Sequence, residues 1–271
     1  MDNARSPMMR SAIMWFSEVA ERRSRAAMVL IMLCLVTSLP GILRLPAVDR
    51  TEVVFAETTR DMLARGNWID PRFADVVHQF RPIGTFWAQG VAASVAGEGQ
   101  ARDIRVYRLP GLAAVTLAVL ALYWLCVPLI GAPPALLAAG LFAVAPLTVL
   151  LTQLAIADGL ALLPATLAML ALLRIYVAGE NEDTFKLAML FWAALGLGML
   201  VNALHTPILV AATLVALSFF SRDFWWLSRL HTPRGAPIAL ALCLPWLLVR
   251  AYQDGLPFSG LGFKKFLAAL G

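Results

Sequence analysis

Charged residues and cysteines are both scarce in this sequence. Asp, Glu, Lys and Arg make up 14% of its 271 residues, against about 25% in ordinary soluble domains. The three cysteines, Cys34, Cys126 and Cys243, lie in separate apolar runs, without the short Cys or His spacing of a metal site or disulfide framework. The basic residues are dispersed instead of lining one patch, which argues against a nucleic-acid partner. We therefore expect no metal, no cofactor and no nucleic acid.

Apolar residues take the place of the missing charges. They form 60% of the chain, and the mean hydropathy is +0.76, which predicts an integral membrane protein. A bilayer core about 30 Å thick requires about 20 apolar residues for each helical crossing. We predict an all-α membrane fold with about seven transmembrane helices, in the runs 26–43, 109–130, 134–152, 155–177, 185–201, 205–220 and 236–252.

Basic residues between these runs predict the orientation of the chain. An eighth apolar stretch, 82–97, is short and contains polar residues, so we assign it to the membrane surface. The arginine-rich N-terminus and the basic loop around Arg229 then both lie in the cytoplasm, whereas a spanning 82–97 would place that loop outside. We predict a bacterial inner-membrane protein with a cytoplasmic segment 1–25, a membrane domain 26–253 that includes an external loop 44–108, and an external tail 254–271.

The external loop has the sequence pattern of two surface helices. An amphipathic helix is predicted from Thr51 to Arg65, opened by Asp49 and ended by Gly66. A second helix over 82–97, beginning at Pro82, would lie beside it on the membrane surface. We expect these two juxtamembrane helices to cover the external end of the transmembrane bundle.

Three acids lie where the chain meets the predicted external membrane surface. Asp49 and Glu52 follow the first apolar run, and Asp158 lies in the short turn between two later runs. With seven crossings, that turn is on the same side as the external loop. Acids at the membrane boundary are costly and usually functional, although they could simply stabilise helix N-termini. We predict that Asp49, Glu52 and Asp158 converge on one external cavity as catalytic carboxylates.

Candidate substrate ligands surround these acids in the predicted topology. Arg81, preceded by His78, could hold a phosphate through two hydrogen bonds, or it could extend to lipid headgroups. Asn202 and His205 lie in a short turn on the same side, where a lone His could equally be a hydrogen-bonded interface residue. We take as candidate substrate-binding residues Arg81, His78, Gln153, Asn202 and His205.

These segments, in their order along the chain, also carry a family resemblance. The Asp-x-Thr-Glu element at Asp49 is followed by "NWIDPRF", "RPIGTFW", "YRLPG", "ADG" and "GLGMLVNALHTP". The series resembles the polyprenyl-phosphate-dependent glycosyltransferases of the GT-C type, in particular the bacterial protein O-mannosyltransferase and lipid A aminoarabinose transferase family. The resemblance implies an acid in the first external loop that activates the acceptor, and a lipid-linked sugar donor as substrate. It assigns Asp49 and Glu52 to the acidic motif, Asp158 to the second acid, and Arg81 to a basic position before proline.

Departures from the family pattern leave two hypotheses open. Relatives commonly have a basic residue where this chain has Gln153 and Ile156, and often Lys-Gly-Pro where it has Asn202, Ala203 and Leu204. They also continue for several more spans. The first hypothesis is an inverting glycosyltransferase that moves a sugar from a polyprenyl phosphate to a lipid, glycan or protein acceptor. The alternative is a non-catalytic, truncated module that binds lipid-linked sugar or pairs with a partner subunit supplying the C-terminal half. A transporter is disfavoured, because the acids cluster at one surface instead of mid-membrane.

Overall fold

The computed structural model describes residues 7–73, 76–77, 82–97, 103–179, 182–221 and 224–254. Its helices are α1 Pro7–Glu21, α2 Arg23–Arg44, α3 Arg50–Ala64, α4 Gly84–Ala96, α5 Ile104–Ile130, α6 Ala132–Val144, α7 Pro146–Thr152, α8 Ala157–Val177, α9 Phe185–Val201, α10 His205–Ser221 and α11 Thr232–Asp254. A 3-10 helix, Trp225–Leu230, precedes α11. A small antiparallel ribbon pairs β1 Arg72–Phe73 with β2 Val76–Val77.

The all-α membrane fold is confirmed, since each of the seven predicted apolar runs is helical. Three helices, α2, α5 and α8, are long and apolar enough to cross a membrane, and α6 with α7 forms a fourth candidate. Among the described residues, α9 and α10 are shorter apolar helices of 17 residues each. At 1.5 Å per residue they extend roughly 26 Å, a few Å short of a typical hydrocarbon core.

The run 134–152 is not the one continuous helix that the sequence suggested. α6 ends at Val144, Ala145 has an extended backbone with ψ 132°, and α7 begins at Pro146, so the two helix axes differ by 59°. Proline has no backbone N–H, and its ring clashes with the carbonyl four residues earlier in a continuous helix. The bend therefore has its cause at Pro146.

The two predicted surface helices correspond to α3 and α4. Asp49 is the N-cap of α3, and Gly66, which follows it, has φ +63°, a conformation that favours glycine. α4 has 13 residues, begins two residues after Pro82 and ends before Gly97 at φ +86°; it is too short to span. The Phe55 and Phe86 rings stack at 5.3 Å between centroids, which packs α3 against α4.

Helix α1 was not predicted from the sequence. Its C-terminal half packs through Val19 and Ala20 on an apolar cluster shared with α2, α5 and α6. The Tyr123 hydroxyl donates a hydrogen bond of 2.7 Å to the carbonyl of Ala20. The arginine-rich sequence predicted only a cytoplasmic segment 1–25, although Pro7 at the first position of α1 is a typical helix-start signal that could have identified the helix.

The helical bundle has two ends with different contents. We call the site end the one where α2 and α9 finish, α8 and α10 begin, and α3 and α4 lie. The opposite end contains α1, the turn at Gly131 between α5 and α6, and the 3-10 helix. Two apolar clusters form the core between them, one around α2, α5 and α6 and another around α8, α9 and α10. The apolar core thus fixes the helices, and a group of polar side chains lies at the site end.

Candidate functional site

A cavity of about 420 Å³ opens at the site end. Four segments distant in sequence form its walls: the start of α3, Pro82 before α4, the start of α8, and the turn between α9 and α10. Its lining residues are Asp49, Thr51, Phe55, Pro82, Ile156, Ala157, Asp158, Val201, Asn202, Ala203 and Leu204. The cavity therefore unites two of the three predicted acids with one of the predicted ligands.

Asp49 lies in the cavity wall because it caps α3. Its Oδ1 accepts a hydrogen bond of 3.1 Å from the backbone N–H of Thr51, which satisfies one of the free donors at the helix start. The side chain is exposed. Capping thus fixes the direction of this carboxylate toward the cavity, and its catalytic role stays a prediction.

Asp158 faces the same cavity from the first turn of α8. It is exposed, and its Oδ1 accepts a hydrogen bond of 3.3 Å from Nδ2 of Asn202, the residue that caps the end of α9. The N-terminus of a helix stabilises a carboxylate electrostatically. Asp49, Asp158 and Asn202 are therefore brought together by three separate elements, as expected from the predicted topology.

Glu52 does not lie in the cavity, which corrects the expectation that it joins the other acids there. It is completely buried, and its carboxylate binds the Arg108 guanidinium through two hydrogen bonds: Nε to Oε1 at 2.6 Å and Nη2 to Oε2 at 3.0 Å. Oε1 also accepts a bond of 3.0 Å from the N–H of Ala155. Three residues after the cap, Glu52 lies on the inner face of α3, whereas Asp49 lies at the helix start.

Arg108 is the residue that the sequence analysis missed. It is fully buried, and besides Glu52 it donates to three backbone carbonyls near the end of α2: Ile42 at 3.3 Å, Leu45 at 2.7 Å and Pro46 at 3.0 Å. With the two bonds to Glu52, these occupy all five N–H donors of a guanidinium. The signal was present in the sequence, because an arginine beside a long apolar run requires a partner.

Two further side chains complete this buried cluster. The Thr59 hydroxyl donates to Gln89 Oε1 at 2.8 Å, and Gln89 Nε2 donates to the carbonyl of Ala155 at 3.0 Å. Both backbone groups of Ala155 are therefore held by side chains, the N–H by Glu52 of α3 and the carbonyl by Gln89 of α4. We call Glu52, Arg108, Gln89, Thr59 and the backbone of Ala155 the Glu52 network.

The remaining predicted ligands lie elsewhere. Gln153 packs against α2, since a Cβ on Gly41 would come within 2.2 Å of its Nε2, and it is not in the cavity wall. His205 is exposed at the start of α10, one residue beyond the cavity wall at Leu204. Arg81 and His78 lie outside the described residues, although Pro82, next in the chain, lines the cavity.

No group of three or more His, Cys, Asp or Glu side chains that could hold a metal ion occurs in the part of the chain that the structure describes. In the described cavity wall the ionisable side chains are Asp49 and Asp158, both acids. The wall can therefore accept protons and hydrogen bonds from a substrate.

Comparisons with known proteins agree on one family. Residues 80–249 match the family model described as Dolichyl-phosphate-mannose-protein mannosyltransferase. This range includes Arg108, Asp158 and Asn202, while Asp49 and Glu52 precede it. The undecaprenyl phosphate-alpha-4-amino-4-deoxy-L-arabinose arabinosyl transferases of Erwinia tasmaniensis and Edwardsiella ictaluri are 25% and 26% identical over 75% and 83% of this chain, and 36% and 40% of their own length.

Solved structures show the same fold. The crystal structures of ArnT from Cupriavidus metallidurans, in the apo state and bound to undecaprenyl phosphate, each match with a TM-score of 0.73 at 20% identity. The match covers 87% of this chain and 43% of that one. The chain thus spans about 40% of the length of the relatives it matches.

Proposed function

Because the chain belongs to the Dolichyl-phosphate-mannose-protein mannosyltransferase family, we propose that it transfers a sugar from a polyprenyl-phosphate donor to an acceptor hydroxyl. The observation that carries the proposal is the convergence of Asp49 and Asp158, from different elements, in one cavity of about 420 Å³ at the end of an apolar bundle. A solved protein of the same fold binds undecaprenyl phosphate, which supports the class of donor.

Asp49 is the proposed general base. It removes the proton from the acceptor hydroxyl as that oxygen attacks the anomeric carbon of the sugar, on the face opposite the phosphate. The bond between the anomeric carbon and the phosphate oxygen breaks, and polyprenyl phosphate leaves with the bonding electrons. The anomeric configuration is inverted. Polyprenyl phosphate is stable as an anion and leaves without prior protonation, so no general acid is required. Asp158 shapes the cavity and holds Asn202 in place.

Arg81 is the proposed phosphate ligand. Transfer leaves additional negative charge on the phosphate, and a guanidinium stabilises such charge through paired hydrogen bonds. Arg81 directly precedes Pro82 in the sequence, and Pro82 lines the cavity, which supports this assignment. The prenyl tail of the donor lies between the membrane-spanning helices.

We place this reaction at the external face of a bacterial inner membrane. At the opposite end, Arg22 precedes α2, Arg23 and Arg25 lie in its first turn, Arg229 lies in the 3-10 helix and Arg234 lies at the start of α11. Short basic segments remain on the cytoplasmic side of a membrane. This distribution supports an external location for the site end.

A matched pair of substitutions tests the role of Asp49. Asp103 caps α5 as Asp49 caps α3, and its Oδ1 accepts a bond of 2.9 Å from the N–H of Arg105, but it does not line the cavity. Asn caps a helix about as well as Asp. We expect Asp49→Asn to lower transfer by the ~10²–10⁴-fold typical of a lost base, and Asp103→Asn to leave it unchanged.

The assay measures two quantities for each variant. Membranes containing the chain receive radiolabelled lipid-linked sugar, and label in the acceptor fraction measures transfer. Mass spectrometry of co-purified polyprenyl-phosphate sugar measures donor binding, which Asp49→Asn should retain. Equal transfer by wild type and Asp49→Asn would rule out Asp49 as the base.

A second candidate function is a non-catalytic module that binds lipid-linked sugar and pairs with a partner subunit. One observation favours it, namely that the described cavity wall has two acids and no Lys or Arg, whereas transfer requires a cation near the phosphate. This candidate predicts that wild type retains polyprenyl phosphate but transfers no sugar, and that Asp49→Asn changes neither quantity.

A further inference from the structure

We propose that Glu52, Arg108 and Gln89 are positioning residues that set the separation between Asp49 and Asp158, and that Glu52 is not itself a base. The kinetic consequence of this inference rests on the proposed function. Its structural consequence does not, so the two can fail separately.

One hydrogen bond links the two cavity acids through short segments of chain. The Glu52 carboxylate accepts the N–H of Ala155 at 3.0 Å. Glu52 lies in the first turn of α3, and Asp49, the N-cap of that helix, is three residues before it. Asp158 lies in the first turn of α8, three residues after Ala155. Each segment includes the first residues of a helix, whose backbone is fixed. The position of this bond therefore determines how far the two carboxylates lie apart.

Arg108 fixes the same segment from its other side. Its guanidinium donates to the Leu45 and Pro46 carbonyls at 2.7 and 3.0 Å, and to Glu52. Pro46 lies three residues before Asp49, and Glu52 lies three residues after it. Asp49 is thus in the middle of a seven-residue stretch, 46–52, with both ends bound to one buried side chain. Because a guanidinium is planar, the directions of its N–H donors are fixed relative to one another.

Gln89 completes the arrangement from α4. It donates to the carbonyl of Ala155 at 3.0 Å and accepts from Thr59 of α3 at 2.8 Å. The segment before α8 is consequently held between both surface helices. A change at Gln89 loosens this segment without leaving a charge unpaired, so it is the milder test of the same idea.

The contacts and burial of Glu52 prevent it from acting as the general base. Oε1 accepts from both Arg108 and Ala155, and Oε2 accepts from Arg108. The side chain is fully buried and is not part of the cavity wall. A general base must reach the proton it removes, directly or through one water.

Hydrogen–deuterium exchange of the purified full chain in lipid nanodiscs tests the structural part. The variants are Glu52→Gln, Arg108→Lys and Gln89→Leu. We expect amide exchange in 153–157 to accelerate at least tenfold in all three, and exchange in 46–52 to do so in the first two. Asp49→Asn should leave both segments unchanged. Glu18→Gln, which breaks the exposed Glu18–Arg25 pair at the opposite end, is the control. Unchanged exchange in all three variants would overturn the proposal; if the charged variants fail to fold, Gln89→Leu decides.

Transfer kinetics test the kinetic part. A displacement of about 1 Å can cost about 10²-fold in rate, so we expect Glu52→Gln to lower kcat to that extent with donor binding within threefold of wild type. The pH profile should keep its shape, because Asp49 remains the base. Glu52→Asp keeps a carboxylate but shortens its reach by one methylene, and it should be as slow as Glu52→Gln. Recovery of transfer by Glu52→Asp with a fast-exchanging Ala155 would identify Glu52 as the base.

The two experiments separate the possible failures. If wild type transfers no sugar, the proposed function fails and exchange still decides whether the network positions the two segments. If wild type is active and Glu52→Gln is normal in both exchange and kcat, the positioning role is wrong while the proposed function stands.

Discussion

The two ends of the bundle are held by different kinds of interaction. At the site end, Glu52 and Arg108 form a fully buried ion pair whose further hydrogen bonds go to backbone groups of two segments, residues 42–46 at the end of α2 and Ala155 before α8. At the opposite end, Tyr123 and Trp192 each donate one bond, to the carbonyls of Ala20 and Leu230, above large apolar clusters. Arg229 adds a half-buried contact to the Ala178 carbonyl.

The difference arises because the site end must keep polar side chains accessible to water, whereas the opposite end need not. The opposite end can bury apolar side chains such as Val19 and Trp226, and burial stabilises by roughly 25 cal/mol per Å². The first residues of α3 must keep Asp49 exposed at a cavity, so they have less apolar area to bury. Charge-assisted hydrogen bonds, which are stronger and directional, then replace apolar burial. A polar site on an apolar bundle is therefore held by a second, buried polar cluster behind it.

The largest expected effect concerns the sides of the membrane on which the two ends lie. We expect a cysteine at Asn67, an exposed residue of the site end, to react with a membrane-impermeant maleimide in intact spheroplasts. A cysteine at Ser228, exposed at the opposite end, should react only after lysis. Cys34, Cys126 and Cys243 are buried, so the unsubstituted chain is the blank. The reverse labelling pattern would place the cavity in the cytoplasm.

Removal of the Arg108 side chain tests the contribution of the buried ion pair. Arg108→Leu leaves the Glu52 carboxylate buried without its partner, and we expect it to lower the free energy of unfolding by about 3–5 kcal/mol. Arg25→Leu removes the exposed pair with Glu18, which should cost about 0–1 kcal/mol. Unfolding of the purified chain in detergent, followed by circular dichroism, measures both. Similar losses in the two variants would remove the distinction between the ends.

Substitutions at two glycines compare how tightly the chain is packed behind the cavity and along the bundle. A Cβ at Gly159, next to Asp158, would come within 2.6 Å of the Leu151 carbonyl, whereas one at Gly140 would meet Leu33 at an ordinary 3.8 Å. Gly159→Ala should cost about 1–3 kcal/mol through overpacking and lower transfer by displacing Asp158. Gly140→Ala should be neutral or stabilise α6 by up to ~1 kcal/mol. Thermal unfolding of both variants checks this, and equal stability would contradict it.

The smallest expected effect is that of removing one hydrogen bond between uncharged groups at the opposite end. Trp192 Nε1 donates to the Leu230 carbonyl at 2.8 Å. Trp192→Phe should cost about 1 kcal/mol and leave sugar transfer and amide exchange of 153–157 as in wild type. A change in exchange at 153–157 would mean that the two ends are coupled through the bundle.

Local patterns in the sequence predicted most of the fold. The cap at Asp49 and the stop at Gly66 located α3 to within one residue, and apolar length located α2, α5 and α8. The bend at Pro146 could also have been predicted, because proline is a local signal. These features depend on residues close together in the chain, so a sequence pattern contains them.

The candidate site was only partly predictable for the opposite reason. The number of predicted membrane crossings placed Asp49 and Asp158 on the same side of the membrane, and this prediction depends on the whole chain. Glu52 could not be distinguished from them, since its burial depends on Arg108, 56 residues later, and on Ala155, 103 residues later. Gln153 likewise lies against Gly41 of α2. Contacts between residues so far apart in the chain produce no periodic pattern in the sequence, so the sequence alone does not predict them.

The same separations determine when the cavity can form during synthesis. Glu52 leaves the ribosome 103 residues before Ala155, and at about 5–20 residues per second this interval lasts roughly 5–20 seconds. Arg108 is synthesised about halfway through this interval. The Glu52–Arg108 ion pair can therefore form before the hydrogen bond between Glu52 and the N–H of Ala155. The stretch 46–52 therefore lacks part of the contacts that hold it until the start of α8 has been synthesised. The cavity is thus a late product of membrane insertion, completed only after the helices on which it rests.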